Sequence, residues 1–465
     1  MADAATSGIP AREEDASAAV VPASMEPRPV PAKLGVSTTL RALRHRNFQL
    51  FFSGQLISLC GTWMQSVAQD WLVYRLTGSA LLMSLVAFAG QIPVLLLSPV
   101  AGIVADRRNR QYTVIATQTC SMLVALILAT LTLLRVVKVW EIVILATSLG
   151  IVNAFDVPAR QSFIIEMVGR EDLLNAIALN SSMYNAARVI GPAIAGLVIA
   201  SFGEGWCFFG NGVSYIAVII GLFMMRVSPR ELQRGGSAFE NIVEGFRFAR
   251  HTAPIRSLLL MVGLVSMTTM PVMVLMPIFA DRILHGGARG LGLLVGSAGI
   301  GALLGGLTLA SKRDVKGLGR WVWVAAGGVG AALIVFSASR HFWLSVAFLL
   351  PAGFAMMVQM GSCNTLIQVM VPDRLRGRVM SVYSMMLIGV GPIGALGSGA
   401  LANRIGAPWT VALCGIVSVG GASAFAWKWP AVRGTARELI SQQGIARAAT
   451  APAAAASVDP PEAGS

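Results

Sequence analysis

The sequence predicts an all-α polytopic membrane protein with 12 transmembrane helices in two pseudo-symmetric six-helix bundles. Hydrophobic residues make up 55% of the 465-residue chain and charged residues only 12%, whereas soluble domains carry about 25% charged residues. Apolar runs that approach or exceed the roughly 20 residues needed to cross a bilayer follow one another along most of the chain. An internal repeat predicts that the helices form two similar halves.

Twelve apolar runs are candidate spans. They cover residues 48–74, 79–105, 111–134, 139–160, 173–202, 205–226, 257–281, 288–310, 319–339, 342–370, 379–403 and 407–428. The N-terminal bundle is predicted over residues 38–226 and the C-terminal bundle over 257–428, with a polar cytoplasmic linker at 227–256. The segments 1–37 and 429–465, rich in Ala and Pro, are predicted to be disordered.

Two Gly-Pro pairs carry the internal repeat. Gly191-Pro192 lies in the fifth apolar run, and Gly391-Pro392 lies 200 residues later in the eleventh. Each run follows a polar turn, at residues 169–172 in one half and 373–376 in the other. The same pair at the fifth and eleventh of twelve spans predicts two similar halves with a site between them.

The positive charges indicate the orientation in the membrane. The net charge is +14, but Lys and Arg lie in short gaps between apolar runs and not in a patch with interleaved aromatic residues, so no nucleic-acid binding is predicted. The loops after even-numbered spans hold 18 Lys and Arg residues, and the opposite loops hold seven. Because positive loops stay in the cytoplasm, both termini are predicted to be cytoplasmic.

A densely charged turn follows the second apolar run. It contains Gly102, Asp106, Arg107 and Arg110. Charges this dense are too costly to place in hydrocarbon, so the turn is predicted to lie at a membrane surface. A carboxylate at the C-terminal end of a helix is repelled by the helix dipole. Asp106 therefore needs a partner, such as Arg110 or the N-terminus of a neighbouring helix.

The turn resembles the loop between the second and third helices of the major facilitator superfamily, with the signature G-x-x-x-D-R-x-x-R and a further basic residue. Gly102, Asp106, Arg107 and Arg110 match, and Gln111 takes the last place. The resemblance implies that Asp106 contacts the cytoplasmic start of the eleventh helix and latches the two halves when the inner gate is shut. The alternative is a solvated turn that only fixes orientation.

A second motif lies in the fifth span. Gly191, Pro192 and Gly196 resemble the end of the antiporter motif of superfamily exporters, G-P-x-x-G-G, with Ala195 in place of one glycine. The resemblance implies a hinge that prevents leak and favours exchange of drug for proton, and Gly391-Pro392 has the equivalent place in the second half. The alternative is ordinary close packing, which small residues permit.

Ionisable residues inside apolar runs are candidates for a substrate or proton site, because such residues are costly in a membrane. Asp70 is either a proton site or an interfacial acid near the outer end of the first span. Asp156 and Arg160 have i,i+4 spacing, which favours a structural pair on one helix face over a carrier site. Arg188, near the middle of the fifth span, either binds an anionic group or a proton-carrying carboxylate, or forms a permanent ion pair, for example with Asp156.

No cofactor, metal site or enzyme active site is predicted. The five cysteines form no CxxC pair, and the four histidines lie in predicted loops or at helix ends. No cluster of His, Asp and Glu has the spacing of metal ligands, and no nucleophile and base are paired. Glycine-rich runs such as 327–330 lie inside apolar spans, where they are predicted to pack helices.

Further stretches narrow the resemblance to the superfamily branch of bacterial enterobactin exporters and drug-efflux proteins. They are residues 43–48, 61–65, 71–74, 76–79, 156–161, 179–182, 188–193 and 376–379. The resemblance implies proton-coupled export of a siderophore or amphiphilic drug across the bacterial inner membrane, with small molecule, protons and lipid bilayer as partners, and we expect a monomer. The alternatives are a transporter of the same fold for another metabolite or ion, and a transport-inactive sensor or scaffold.

Overall fold

The computed structural model describes residues 40–169, 171–225, 238–312 and 317–450. For some residues inside the helices, including Asp106 and Arg107, it describes the backbone alone. The predicted disorder of residues 1–37 and 451–465 concerns segments outside the described residues and stays a prediction.

Fourteen α-helices follow a short 3-10 turn at Arg41–Arg44 in the described part of the chain. This part also contains two π-helical turns, Phe279–Ile283 after α8 and Met385–Gly389 between α12 and α13. The helices are α1 (Arg46–Thr77), α2 (Ala80–Arg107), α3 (Arg110–Leu133), α4 (Val139–Val168), α5 (Leu173–Phe202), α6 (Glu204–Met224), α7 (Ala238–His251), α8 (Ala253–Ile278), α9 (Gly287–Ser311), α10 (Leu318–Ala338), α11 (Phe342–Met370), α12 (Asp373–Ser384), α13 (Val390–Ile405) and α14 (Ala407–Thr450).

Eleven helical segments in the described part of the chain are long and apolar enough to cross a membrane. The twelfth predicted span is α1, which has the length but carries more polar residues. Gln55, Ser58 and Gln65 on this helix are buried inside the protein, and Gln65 accepts a hydrogen bond of 2.7 Å from Asn211 of α6. The predicted all-α architecture of twelve spans is confirmed.

The prediction of disorder was wrong for the first part of the C-terminal tail. Residues 429–450 continue α14 as a helix. Ala436 is buried, and Leu439 and Ile440 pack against the same apolar cluster. The spacing of these three residues places them on one helix face, and the many alanines of this segment favour the helical backbone. The Ala- and Pro-rich composition indicated disorder, and an apolar stripe of three residues is too short to be recognised in the sequence.

The spans pack as two groups of six. In the first group α1 packs against α5 and α6, α2 against α4, and α3 against α4 and α6. In the second group α8 packs against α13 and α14, and α10 and α11 pack against each other, with α14 beside α10 and α9 beside α11. The main contacts between the groups join the fifth span to the eighth (α5 with α9) and the second to the eleventh (α2 with α13). Exchanging the two halves converts one of these contacts into the other, as pseudo-two-fold symmetry requires.

The two ends of the bundle pair differ. We call the end with Arg108, Arg110 and Arg376 the basic end, and the end where α1 and α8 finish the opposite end. At the opposite end, Asn403 donates a hydrogen bond of 3.4 Å to Ser79 across the bundles. Further along α2 toward the basic end, no described atom of another helix lies within 4 Å of the position that a Cβ on Gly102 would occupy.

Candidate functional site

Arg188 lies at mid-height between the bundles. It is the sixteenth of the 30 residues of α5, so about 22 Å of helix separates it from either end. Its guanidinium carbon lies 5.7 Å from the centre of the Trp63 ring on α1. The Trp63 ring meets Tyr184, one turn away on α5, edge to face with 5.8 Å between ring centres. An arginine over an aromatic face gains about 1–2 kcal/mol of cation–π attraction when desolvated.

A cavity next to Arg188 extends into the second bundle. Its volume is about 20 Å³, which is room for roughly one water molecule. Apart from Arg188 and Thr269, its walls are apolar, and they come from α8, α9, α10 and α11. The Thr269 hydroxyl donates to the carbonyl of Val265 in its own helix. Arg188 thus projects its charge from the first bundle toward an apolar wall of the second.

Arg188 has no hydrogen bond and no ion pair with any residue whose side chain the structure describes. The predicted alternative of a permanent pair between Arg188 and Asp156 is not formed in this conformation, because Asp156 is bonded elsewhere. A mid-membrane arginine costs about 3 kcal/mol or more when it is unpaired. The Trp63 ring offsets part of that cost, and the N–H groups of the guanidinium remain available.

Asp70 shares a face of α1 with Trp63 and Tyr74. The three residues are seven and four positions apart, and both spacings return to the same side of a helix. Asp70 therefore lies about 10 Å along the helix axis from Trp63 and about 6 Å from Tyr74. Its side chain is half-buried and has no hydrogen-bond or ion-pair partner in the described part of the chain.

A contact that the sequence did not reveal joins the bundles beside Asp70. We call Tyr74, Asp281 and Arg282 the clasp. Tyr74 donates a hydrogen bond of 2.7 Å to Asp281 Oδ2, and the Arg282 guanidinium carbon lies 5.4 Å from the centre of the Tyr74 ring. Gly78 ends α1 with a φ of 60°, and a Cβ there would lie 2.5 Å from Arg282 Nη2. The sequence shows Asp281 and Arg282 as adjacent charged residues at the end of a span. It does not indicate that they lie next to Tyr74, so the clasp was not predicted.

Asp156 and Arg160 form a structural pair inside the first bundle, as their spacing indicated. Asp156 Oδ2 lies 3.3 Å from Arg160 Nε. Its other oxygen accepts hydrogen bonds of 2.7 Å from Thr117 and 2.9 Å from Gln118 on α3. Asp156 is only 4% exposed. Arg160, Thr117 and Gln118 all interact favourably with the charged carboxylate, so Asp156 joins α3 to α4 and forms no ion pair with Arg188.

The structure describes part of the predicted latch at the basic end. The side chains of Asp106 and Arg107 lie outside the described residues. Arg110 donates hydrogen bonds of 2.7 Å to Glu166 and 3.2 Å to the carbonyl of Ser162, both on α4. Glu166 was missed because it lies past the predicted end of the fourth span. The pair ties the start of α3 to the end of α4.

The two Gly-Pro pairs lie at equivalent helix contacts in the two halves, between the fifth and first spans and between the eleventh and seventh spans. A Cβ on Gly191 would lie 2.5 Å from the Trp63 Cβ of the first span, and a Cβ on Gly391 would lie 2.9 Å from Ser266 of the seventh. Pro192 and Pro392 follow these glycines inside their helices. Gly196 lies at the contact between bundles, where a Cβ would be 3.0 Å from Gly292 Cα. Close packing thus accounts for the small residues in this structure.

No group of three or more His, Cys, Asp or Glu residues suited to a metal ion occurs in the described part of the chain. The cysteines Cys60, Cys120, Cys207, Cys363 and Cys414 are free.

The two pseudo-symmetric six-helix bundles meet around a central charged residue and join at one end. This architecture is that of a secondary transporter. A family model described as "Transmembrane secretion effector" matches residues 37–453. The chain belongs to this family of the major facilitator superfamily, in the branch that includes siderophore and drug exporters. It is a multi-pass membrane transporter and not an enzyme.

Curated relatives span almost the same length. The chain is 25% identical to the staphyloferrin A transporter of Staphylococcus aureus, over 79% of this chain and 93% of the relative. It is 28% identical to the multidrug efflux pump Tap of Mycolicibacterium fortuitum, over 77% and 89%, and 25% identical to the enterobactin exporter EntS of Escherichia coli O1:K1, over 79% and 86%.

Solved structures share the fold at low sequence identity. The nucleoside transporter NupG superposes with a TM-score of 0.65 at 15% identity, covering 82% of this chain and 99% of NupG. A bacterial homologue of the iron transporter ferroportin, in an inward-facing state, gives a TM-score of 0.65 at 16% identity, covering 83% and 98%.

Proposed function

We propose that the protein exports a small organic molecule, a siderophore or an amphiphilic drug, in exchange for protons by alternating access. One observation carries the proposal. Asp70, a carboxylate without a described partner, lies on the same face of α1 as the Arg188–Trp63 site and the clasp, between the two. A carboxylate there is able to take a proton when the opposite end is open and to release it when the basic end is open.

The excess of positive loops supports an orientation with the basic end and both termini in the bacterial cytoplasm. In that orientation the clasp closes the outer end of the pathway, and Gly102, whose Cβ position has no described neighbour from another helix, lies toward the inner end. We therefore assign this conformation to the half of the cycle in which the outer end is closed. The names of relatives that carry staphyloferrin, enterobactin and drugs support export of organic molecules.

The latch is proposed to act in the other half of the cycle. When the inner end closes, Gly102 and Asp106 of α2 approach the start of α12 in the second bundle. Arg110 is held on α4 by Glu166, so it keeps a positive charge in place beside this contact. Arg107 completes the basic side of the turn. The hinge role of Gly191, Pro192, Gly196, Gly391 and Pro392 is proposed on the same basis, since they pack the helices that would have to move.

Inverted membrane vesicles test the proposal. Respiration acidifies the vesicle interior, and a probe that enters in exchange for protons lowers the gradient, which a pH-sensitive dye reports. Probes are ethidium, as an amphiphilic drug, and 2,3-dihydroxybenzoate, as a siderophore fragment. We expect at least one probe to discharge the gradient. If neither probe discharges the proton gradient, and uptake of the probes does not depend on pH, the result would instead favour a different cargo or a transport-inactive protein.

The Asp70→Asn variant tests whether Asp70 carries the proton that is exchanged for the cargo. We expect it to abolish discharge of the gradient but to retain exchange of labelled for unlabelled probe, because exchange requires no net proton movement. Glu438→Gln is the matched control, since Glu438 is an exposed acid on the extended part of α14. Gradient-driven uptake by Asp70→Asn at the unmodified rate would remove Asp70 from the coupling mechanism.

A further inference from the structure

The unpaired guanidinium of Arg188 indicates the charge of the ligand. Arg188 faces an apolar cavity wall and has no acceptor in the described part of the chain for its N–H groups. An arginine cannot escape this cost by losing its proton. A ligand carboxylate would accept two parallel hydrogen bonds from it and neutralise its charge. A ligand cation would instead meet a like charge in a poorly screened environment.

The surroundings of Arg188 indicate the shape of the ligand. The Trp63 and Tyr184 rings lie beside it, and Tyr184 is 46% exposed. Aromatic side chains prefer to meet a flat ring in an offset or edge-to-face arrangement. Met273 and Met356 form part of the cavity wall, and methionine side chains adapt to rings of different outline.

Asp70 limits the number of negative charges on the ligand. It lies on the same face of α1 as Trp63, about 10 Å away along the helix. A second anionic group that extends toward the clasp would approach this carboxylate. The favoured arrangement therefore has one anionic group at Arg188 and neutral, flat apolar parts toward Trp63, Tyr184 and the methionine wall.

We infer that the Arg188–Trp63–Tyr184 site binds organic monoanions in which a carboxylate or similar group adjoins a flat aromatic ring, and that it disfavours cations. The inference rests on the proposed function for its role as the cargo site. Binding itself is measurable without any transport, so the two proposals fail separately.

Four probes with a related two-ring frame separate charge from ring shape in titration calorimetry on the purified, lipid-reconstituted protein. They are 2-naphthoate, 2-naphthylmethanol, 2-naphthylmethylammonium and decalin-2-carboxylate. We expect 2-naphthoate to bind about 10- to 100-fold more tightly than the alcohol, which is the contribution of hydrogen bonds to a charged group. The ammonium probe should bind more weakly than the alcohol, and the saturated carboxylate more weakly than 2-naphthoate.

Variants assign these preferences to residues. Arg188→Gln should bind acid and alcohol equally, and Arg188→Lys should keep a smaller preference for the acid, because an ammonium lacks the planar pair of donors. Trp63→Leu should reduce the preference for the aromatic over the saturated acid. Arg404→Gln and Trp409→Leu, at exposed residues near the opposite end, are the matched controls and should bind like the unmodified protein.

Three results would overturn the inference: equal affinity of the unmodified protein for acid and alcohol, tighter binding of the ammonium probe, or no binding of any probe. Retention of the full acid preference by Arg188→Gln would place the anion site elsewhere. If this variant does not fold, the comparison of the four probes on the unmodified protein and on Arg188→Lys still decides. Proton-coupled transport of ethidium combined with no preference for 2-naphthoate would support the proposed function and refute the monoanion site.

Discussion

Tyr74 and Asp281 join the two bundles through a hydrogen bond of 2.7 Å, and the residues lie at the ends of the first and seventh spans. These spans occupy equivalent places in the two halves. Arg282 lies over the Tyr74 ring. The Tyr74 side chain therefore contacts the Asp281 carboxylate through its hydroxyl and the Arg282 guanidinium through its ring face. Formation of this contact requires the opposite end to be closed, and it therefore favours the conformation described here.

Tyr74→Phe removes the hydrogen bond and leaves the ring. We expect the population open at the opposite end to rise roughly 10- to 100-fold, because a hydrogen bond to a charged group contributes about 1.5–3 kcal/mol. The distance between spin labels at Leu76 and Arg289, both exposed near the opposite end, measures this population by pulsed electron resonance.

Tyr112→Phe is the control for Tyr74→Phe, since Tyr112 is an exposed tyrosine on α3 near the basic end. The control should leave the distance distribution unchanged. If Tyr74→Phe also leaves it unchanged, the clasp does not stabilise closure of the opposite end.

Gly102 offers a test of closure at the basic end. Gly102→Leu fits the present conformation, because no described atom of another helix lies within 4 Å of the position of its Cβ. We expect this variant to fold and to bind probes but to lose transport, since the added side chain obstructs the approach of the second bundle. Labels at Tyr112 and Arg374 should report a distance fixed at its longer value.

Gly397→Leu is the matched control, because Gly397 also has open space around its Cβ position. It should transport at the unmodified rate. Unimpaired transport by Gly102→Leu would show that the second bundle does not approach this part of α2, and the latch interpretation would have to be abandoned.

The sequence predicted most of the architecture because its strongest signals are local. A run of about 20 apolar residues specifies a span by itself, and the Gly191-Pro192 and Gly391-Pro392 pairs marked equivalent places. The i,i+4 pair of Asp156 and Arg160 was also a local signal. The clasp and the Arg188–Trp63 contact were not predicted, because each joins residues more than 120 positions apart. The contact between Glu166 and Arg110 was also not predicted. The sequence placed the end of the fourth span at residue 160, whereas α4 continues to Val168 and includes Glu166.

Gly196 should control how closely the bundles meet near the opposite end. A Cβ there would lie 2.9 Å from the Ala288 carbonyl oxygen and 3.0 Å from Gly292 Cα, and backbone atoms cannot move aside as side chains do. We expect Gly196→Val to disfavour the present conformation and to lengthen the distance between labels at Leu76 and Arg289. Gly397→Val serves as the control on α13, with unchanged distances expected. A short, unmodified distance in Gly196→Val would mean that α5 and α9 separate here without opening the pathway.

Asp156 should contribute to stability rather than to transport. Its carboxylate is buried with Arg160, Thr117 and Gln118. Breaking a buried ion pair from one side costs about 3–5 kcal/mol, so Asp156→Asn should lower the melting temperature of the purified protein by several degrees. Transport per folded molecule, and its dependence on the proton gradient, should remain as in the unmodified protein, because the contacts of Asp156 lie within the first bundle. The double variant Asp156→Asn, Arg160→Gln should recover part of the lost stability, since it removes the uncompensated charge. Loss of proton coupling at unchanged melting temperature would instead make Asp156 a proton carrier.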